Sequence, residues 1–122
     1  MTAKKKILIV DDESDLRILL AHELTTAGYE IKEASDGAEA IELLKKNQFD
    51  LALLDIQMPV MNGIQVLKYI HTQAPATKAI MLTGYADLKH AMEAREYGAK
   101  DFISKPYKID DIFATISRLL KE

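Results

Sequence analysis

The sequence predicts an α/β protein in which five short strands of one parallel sheet alternate with five helices covering both of its faces. Three observations carry this reading. Short apolar runs without polar alternation recur along the chain, as expected of strands buried on both faces. Segments of helical period lie between them. Start-to-start spacings of roughly twenty to thirty residues fit a short strand, a helix and two short loops each time, and right-handed crossovers then make neighbouring strands parallel.

The first strand is Ile7 to Val10, entered through Lys4, Lys5 and Lys6. Basic residues before an apolar run resemble the start of a secretory signal. The run ends after four residues at Asp11, Asp12 and Glu13, short of the ~7–15 residues that a signal core needs. Leu16, Leu19, Leu20, Leu24 and Ala27 share one face of the first helix, which Gly28 can end by entering the left-handed conformation. Tyr29 to Ala34 is a weaker second strand. Asp36 and Glu39 form a candidate capping box for a helix carrying Ala40, Ile41 and Leu44. Leu51 to Leu54 is the third strand. Met58, Pro59, Met61, Asn62 and Gly63 then read as a turn, with Gly63 permitting unusual dihedrals. The third helix presents Ile64, Leu67 and Ile70 and is broken by Pro75. Ala79 to Leu82 is the fourth strand, followed by a helix with Leu88, Ala91 and Met92 that Gly98 closes. Asp101 to Ser104 is the fifth. Ile109, Ile112, Phe113, Ile116, Leu119 and Leu120 make the clearest helical stripe, with Asp110 and Asp111 in its first turn, where the helix dipole favours negative charge.

With 122 residues the chain has the length of one domain, expected over 1–122 with no output domain beside it. Its net charge of −3 gives no electrostatic reason to approach nucleic acid or an anionic membrane. The absence of cysteine excludes disulfides, a thiolate nucleophile and sulfur-ligated metal sites. No segment approaches the ~18 apolar residues of a membrane span, so a cytoplasmic protein is expected.

In an open α/β sheet, ligands bind beyond the carboxyl ends of the strands. Asp11 and Asp12 follow the first run, Asp55 the third, Thr83 the fourth and Lys105 the fifth, so three carboxylates, a hydroxyl and an ammonium converge on one edge. Each aspartate alone could be a turn-former or helix cap; the constellation argues otherwise. Three neighbouring carboxylates need a compensating charge, and a hard divalent cation such as Mg²⁺ supplies it through oxygen ligands. Lys105 adds a flexible point charge and Thr83 a short donor. The set suits phosphoryl transfer with a carboxylate as the attacking group.

At this point the sequence resembles the receiver domain of bacterial two-component response regulators. The resemblance runs from Lys5 to Leu120. It rests on Ile-Leu-Ile-Val-Asp-Asp-Glu at 7–13, Leu-Leu-Asp-Ile-Gln-Met-Pro at 53–59 with Asn62 and Gly63 following, Met-Leu-Thr-Gly-Tyr-Ala-Asp at 81–87, and Gly98 to Asp101 leading into Phe-Ile-Ser-Lys-Pro at 102–106. It implies a flavodoxin-like doubly wound five-stranded sheet of order 2-1-3-4-5. It further implies that Asp55 accepts a phosphoryl group from a phosphohistidine on a histidine kinase or phosphotransfer protein. Asp11, Asp12, Asp55 and the backbone carbonyl of Gln57 would hold Mg²⁺, Asp11 mostly through water. Lys105 would pair with Asp55 and then with the phosphoryl group, Thr83 would donate to that group, and the Lys105–Pro106 peptide would be cis.

In similar proteins the counterpart of Thr83 moves on phosphorylation and an aromatic at the position of Phe102 rotates into the vacated space; a static core aromatic is the alternative for Phe102. Gln57 and Tyr85 flank the path of hydrolytic water in the family, and Tyr85 is expected to slow loss of the phosphoryl group, the alternative being a surface loop aromatic. The family's signalling face is the fourth helix, last strand and last helix, including Tyr97, Phe102 and Tyr107. The expected output is a contact with a downstream protein, a fused output domain or a second copy as a homodimer. The rival is a phosphatase or phosphotransferase with an aspartyl-phosphate intermediate. A haloacid-dehalogenase-like enzyme would want a second Asp as general acid two residues after its nucleophile, where this chain has Gln57. No Walker-type or Gly-x-Gly-x-x-Gly loop is present. The expected activity is therefore self-catalysed phosphoryl transfer and autodephosphorylation only.

Overall fold

The strands fall where the apolar runs lie. In a computed structural model that describes residues 4–58, 61–84 and 88–121, they are β1 (Lys6–Val10), β2 (Glu30–Ala34), β3 (Leu51–Asp55), β4 (Lys78–Thr83) and β5 (Asp101–Ser104), alternating with α1 (Ser14–Thr26), α2 (Gly37–Lys46), α3 (Gly63–Gln73), α4 (Leu88–Glu96) and α5 (Ile109–Lys121). All neighbouring strands pair parallel in the order β2-β1-β3-β4-β5, as expected. Pro59, Tyr85 and the side chain of Leu88 lie outside the described residues.

Side-chain alternation divides the core in two. Ile7, Ile9, Leu51, Leu53, Ile80, Leu82 and Ile103 face Leu20 and Leu24 of α1 and Ile112, Ile116 and Leu119 of α5. Leu8, Val10, Ala52, Leu54, Ala79 and Met81 face α2, α3 and Ala94 of α4. Both sides of β1, β3 and β4 are thus covered, which is why those strands read as continuous apolar runs. Truncating one of these fully buried side chains, such as Leu53, to Ala costs about 2–5 kcal/mol. β2 lies at the sheet edge and carries Glu30, Lys32 and Glu33, charges of the kind that discourage further strand pairing.

Two helix ends follow the same rule. Gly28 and Gly98 have φ of 103° and 84°. The Gly28 and Tyr29 amides donate to Thr25 and Leu24, and those of Gly98 and Ala99 to Arg95 and Ala94. Both are Schellman closures, which need a left-handed residue at that position.

Four local expectations are corrected. Leu19 and Ile18 are 50% and 56% exposed because the buried stripe of α1 is the narrower Leu20, Ala21 and Leu24; Ala27 is exposed as well. Met92 is 63% exposed, and among the described side chains of α4 it is Ala94 that is buried in the core. Asp36 caps α2 by accepting from the Glu39 amide at 2.8 Å, but the Glu39 carboxylate takes the Ser35 amide rather than that of Asp36. The reciprocal box belongs to α3: Asn62 accepts from the Gln65 amide at 3.1 Å, and the Gln65 side chain accepts from the Asn62 amide at 3.0 Å. Finally, Gly63 has no left-handed φ. A Cβ there would lie 2.3 Å from the Asp55 carbonyl oxygen, so glycine serves a close approach of α3 to the end of β3.

Candidate phosphoacceptor site

Parallel pairing fixes the site. Val10 sits opposite Leu54, Asp55 opposite Leu82, and Thr83 opposite Ser104, so residues at the carboxyl ends of four strands share one edge. β1 lies between β2 and β3, making the gap between β1 and β3 the point where chain progression reverses, the usual ligand crevice of such sheets. Asp11 and Asp12 leave β1 there and Asp55 ends β3 there.

Asp11 and Asp55 are 1% and 4% exposed, and Asp12 faces solvent. One carboxylate oxygen from each of the three lies within 4.8 Å of the others. Lys105, just past β5, reaches back across the edge. Its Nζ donates to Asp11 Oδ2 and Asp55 Oδ2 at 3.2 Å each and to Glu13 Oε1 at 3.3 Å. The Lys105 amide donates to the Thr83 carbonyl at 2.7 Å, tying the start of that loop to the end of β4. The Lys105–Pro106 peptide is cis. Amides complete the cage: Gln57 donates to Asp55 Oδ1 at 3.2 Å and Glu13 to Asp11 Oδ1 at 2.9 Å.

The electrostatics follow from this packing. Burial raises the proton affinity of Asp55, Lys105 opposes it and the neighbouring Asp11 charge adds to it, leaving the carboxyl pushed up from 3.8 to about 7. For Lys105, burial acts to lower its affinity but Asp55 and Asp11 together outweigh it, so it stays firmly protonated. The two directions are compatible. One ammonium shared among three carboxylates holds its own proton, yet it does not fully offset the charge of two buried ones. An all-oxygen donor set with residual negative charge and one solvent-facing member suits a hard divalent cation that keeps part of its water shell.

The structure brings Asp11, Asp12, Asp55 and Lys105 into one cluster, with Thr83 buried at the end of the adjoining strand. Gln57 contributes its amide to the Asp55 carboxylate. Phe102 is half-buried against the α2–α4 side of the core. It pairs with Met81 as Ser104 pairs with Thr83, so Phe102 and Thr83 project to the same face of the sheet. Tyr85 lies outside the described residues.

Sequence reasoning missed Glu13 as a third partner of Lys105, and Gly63 as the residue that lets α3 close on Asp55. Glu13 adjoins the acidic pair and could have been found by asking what else Lys105 reaches. Tyr107, expected on the signalling face, is half-buried and packs against the α1 and α5 side of the core. Burial, with the charge of Asp11 adding, pushes its hydroxyl up to about 12. It lines a hollow of about 400 Å³ with Glu13, Leu16, Gly84, Lys105 and Pro106.

Comparison with known proteins agrees with this geometry. Residues 7–117 match the family described as response regulator receiver domain. The chain is 38% identical over 118 residues to chemotaxis protein CheY of Thermotoga maritima, covering 96% of this chain and 98% of that one. It is 36% identical over 116 residues to sporulation initiation phosphotransferase F of Bacillus subtilis, covering 95% and 94%. With regulatory protein AtoC of Escherichia coli it shares 37% identity over 121 residues, 99% of this chain but 26% of that longer protein. A solved CheY-like receiver domain from Methanospirillum hungatei superposes with a TM-score of 0.94 at 34% identity, covering 98% of this chain and 95% of that one. No described helix is long and apolar enough to cross a membrane. With the sheet order, the acidic edge and the profile match in agreement, the chain belongs to the response regulator receiver domain family, whose members are phosphoacceptors in phosphorylation-dependent signalling.

Proposed function

We propose that this chain, read as one receiver domain over 1–122, accepts a phosphoryl group on Asp55 from the phosphohistidine of a histidine kinase or phosphotransfer protein. The observation that carries the reading is Lys105 Nζ bridging Asp55 and Asp11 at 3.2 Å each, where Asp12 completes a three-carboxylate cluster. An Asp55 oxygen attacks phosphorus, the phosphorus–nitrogen bond breaks, and its electron pair leaves on the imidazole nitrogen. Lys105, already against Asp55, transfers its attraction to the phosphoryl oxygens, and the Thr83 hydroxyl donates to one of them. Asp11, Asp12, Asp55 and the Gln57 carbonyl are the residues that would hold Mg²⁺. That cation, when bound, supplies neutralisation of the oxygens of the transferring group.

The acyl phosphate adds about two negative charges at the sheet edge, which draws Thr83 inward. Phe102, on the same sheet face, takes the space released and alters the surface of α4, β5 and α5. Gln57 and Tyr85 set the lifetime by screening water, and the chemistry ends in autodephosphorylation, without turnover of another substrate. Exposed Leu19 on α1 lines a hollow with Glu13 and Leu16, two residues that also line the hollow at Lys105 and Pro106, which supports that flank as the docking surface of the phosphodonor. The output is a contact with a cytoplasmic protein target, a fused output domain or a second copy.

Incubation with acetyl phosphate and Mg²⁺, followed by intact mass, tests the proposal. One phosphoryl adduct is expected, lost in Asp55→Asn and with a chelator, and decaying after donor removal. Absence of an adduct refutes the reading, and sustained hydrolysis of phosphate esters favours a phosphatase instead.

A further inference from the structure

Arg17 lies in the first turns of α1, with its side chain largely enclosed at 14% exposure. Its Nη1 donates to the backbone carbonyl of Asp11 at 2.7 Å, and its Nε donates to Glu33 Oε1 of β2 at 3.1 Å. A guanidinium is a rigid planar fork, so these two bonds tie the chain between Asp11 and Asp12 to both α1 and β2. The Asp11 carbonyl belongs to the peptide plane that leads into Asp12. Because that plane is stiff, fixing the carbonyl fixes the direction in which Asp12 leaves it. Asp11 has other anchors: its amide donates to Ala34, and its carboxylate accepts from Lys105 and from the Glu13 amide. Asp12 is solvent-facing, and among the described residues no ion pair or hydrogen bond holds its carboxylate.

We propose that Arg17 is a positioning residue for divalent-cation binding, setting the Asp11–Asp12 peptide so that the Asp12 carboxylate faces the Asp11 and Asp55 pair. This rests on the reading that Asp11, Asp12 and Asp55 hold the cation. The role has a sign that separates it from simple charge. A guanidinium acting only as a nearby positive charge would repel a second cation, and its removal would tighten binding. A guanidinium acting through geometry loses affinity when removed, as outer partners of metal ligands do.

The test is a Mg²⁺ titration of the full chain, followed by the amide NMR shifts of Asp12 and of Asp55 to Gln57, with urea midpoints measured alongside. Wild type is compared with Arg17→Met and with Arg17→Lys, which keeps the charge but not the fork. Arg17→Met is expected to weaken Mg²⁺ binding by roughly 10-fold or more and Arg17→Lys by less, with the amide shifts of the strands unmoved. Unchanged or tighter binding in either folded variant overturns the proposal, and Arg17→Lys decides it if Arg17→Met does not fold. Wild-type binding that Asp12→Asn leaves intact, or no wild-type binding, overturns the cation site itself and Arg17's role with it. That outcome is distinct from an intact site indifferent to Arg17.

Discussion

Replacing Asp55 with Asn should make the protein more stable at neutral pH while removing the proposed phosphoacceptor. Asp55 is 4% exposed and faces the buried Asp11 carboxylate, and its carboxyl is pushed up from 3.8 to about 7, by burial first and by Asp11 second, against the pull of Lys105. A raised carboxylate favours the native state only while protonated. Below pH 3.8 the group is protonated in both states. As pH rises from there the unfolded chain ionises first, and stability falls until the native group ionises near pH 7. The full difference corresponds to about 4 kcal/mol at pH 8, and native-state relaxation reduces the expected gain for Asp55→Asn to about 2–4 kcal/mol. At pH 4.5 the same reasoning leaves about 1 kcal/mol. Lys105 stays protonated across this window and does not change the slope. Urea unfolding of both proteins in a chelator at pH 4.5 and 8 measures the gap directly, and titrating groups remote from Asp55 cancel in the comparison. A gap of equal size at the two pH values, or a less stable Asp55→Asn at pH 8, would refute the reasoning.

Gly63→Ala should destabilise by about 1–3 kcal/mol or more, since the new Cβ meets backbone atoms of Asp55 rather than a movable side-chain end; an unchanged urea midpoint would contradict this. Asn62→Ala removes the amide acceptor at the start of α3 and should cost about 1 kcal/mol, read from the same measurement. Lys105→Met takes the positive charge from three carboxylates, so Mg²⁺ should bind more tightly in calorimetry while the cation-free protein loses stability. Mg²⁺ at 100 times its dissociation constant should stabilise wild type by about 2.7 kcal/mol and Asp55→Asn by less, seen as a smaller rise in thermal midpoint.

What could be read from sequence was governed by how completely each element is buried. β1, β3 and β4 are covered on both faces, so each is a run such as Ile7 to Val10 that no surface requirement interrupts. β2, at the edge, alternates charged residues with Ile31 and Ala34 and gave a weaker signal. In α5 the stripe of Ile112, Ile116 and Leu119 is the buried face, whereas α1 holds more apolar residues than its contact needs, and counting them placed Leu19 inside. The candidate site was legible because the residues that close or follow the runs of β1, β3, β4 and β5 share one edge of the parallel sheet. Contacts that arise only when loops meet were not legible. The approach of Gly63 to the Asp55 carbonyl, the third salt bridge of Lys105 to Glu13, and the grip of Arg17 on the Asp11 carbonyl depend on backbone positions that no periodicity reports.

The central claim is that the phosphoryl group is carried by the buried carboxylate of Asp55 rather than by its neighbours. Phosphorylation with acetyl phosphate and Mg²⁺, reductive trapping of the acyl phosphate with borohydride, and peptide mapping locate the modified side chain directly. The account predicts reduction to homoserine at Asp55, with Asp11 and Asp12 recovered unmodified. Trapping at Asp11 or Asp12, or a phosphorylated chain with no reducible acyl phosphate, would contradict it.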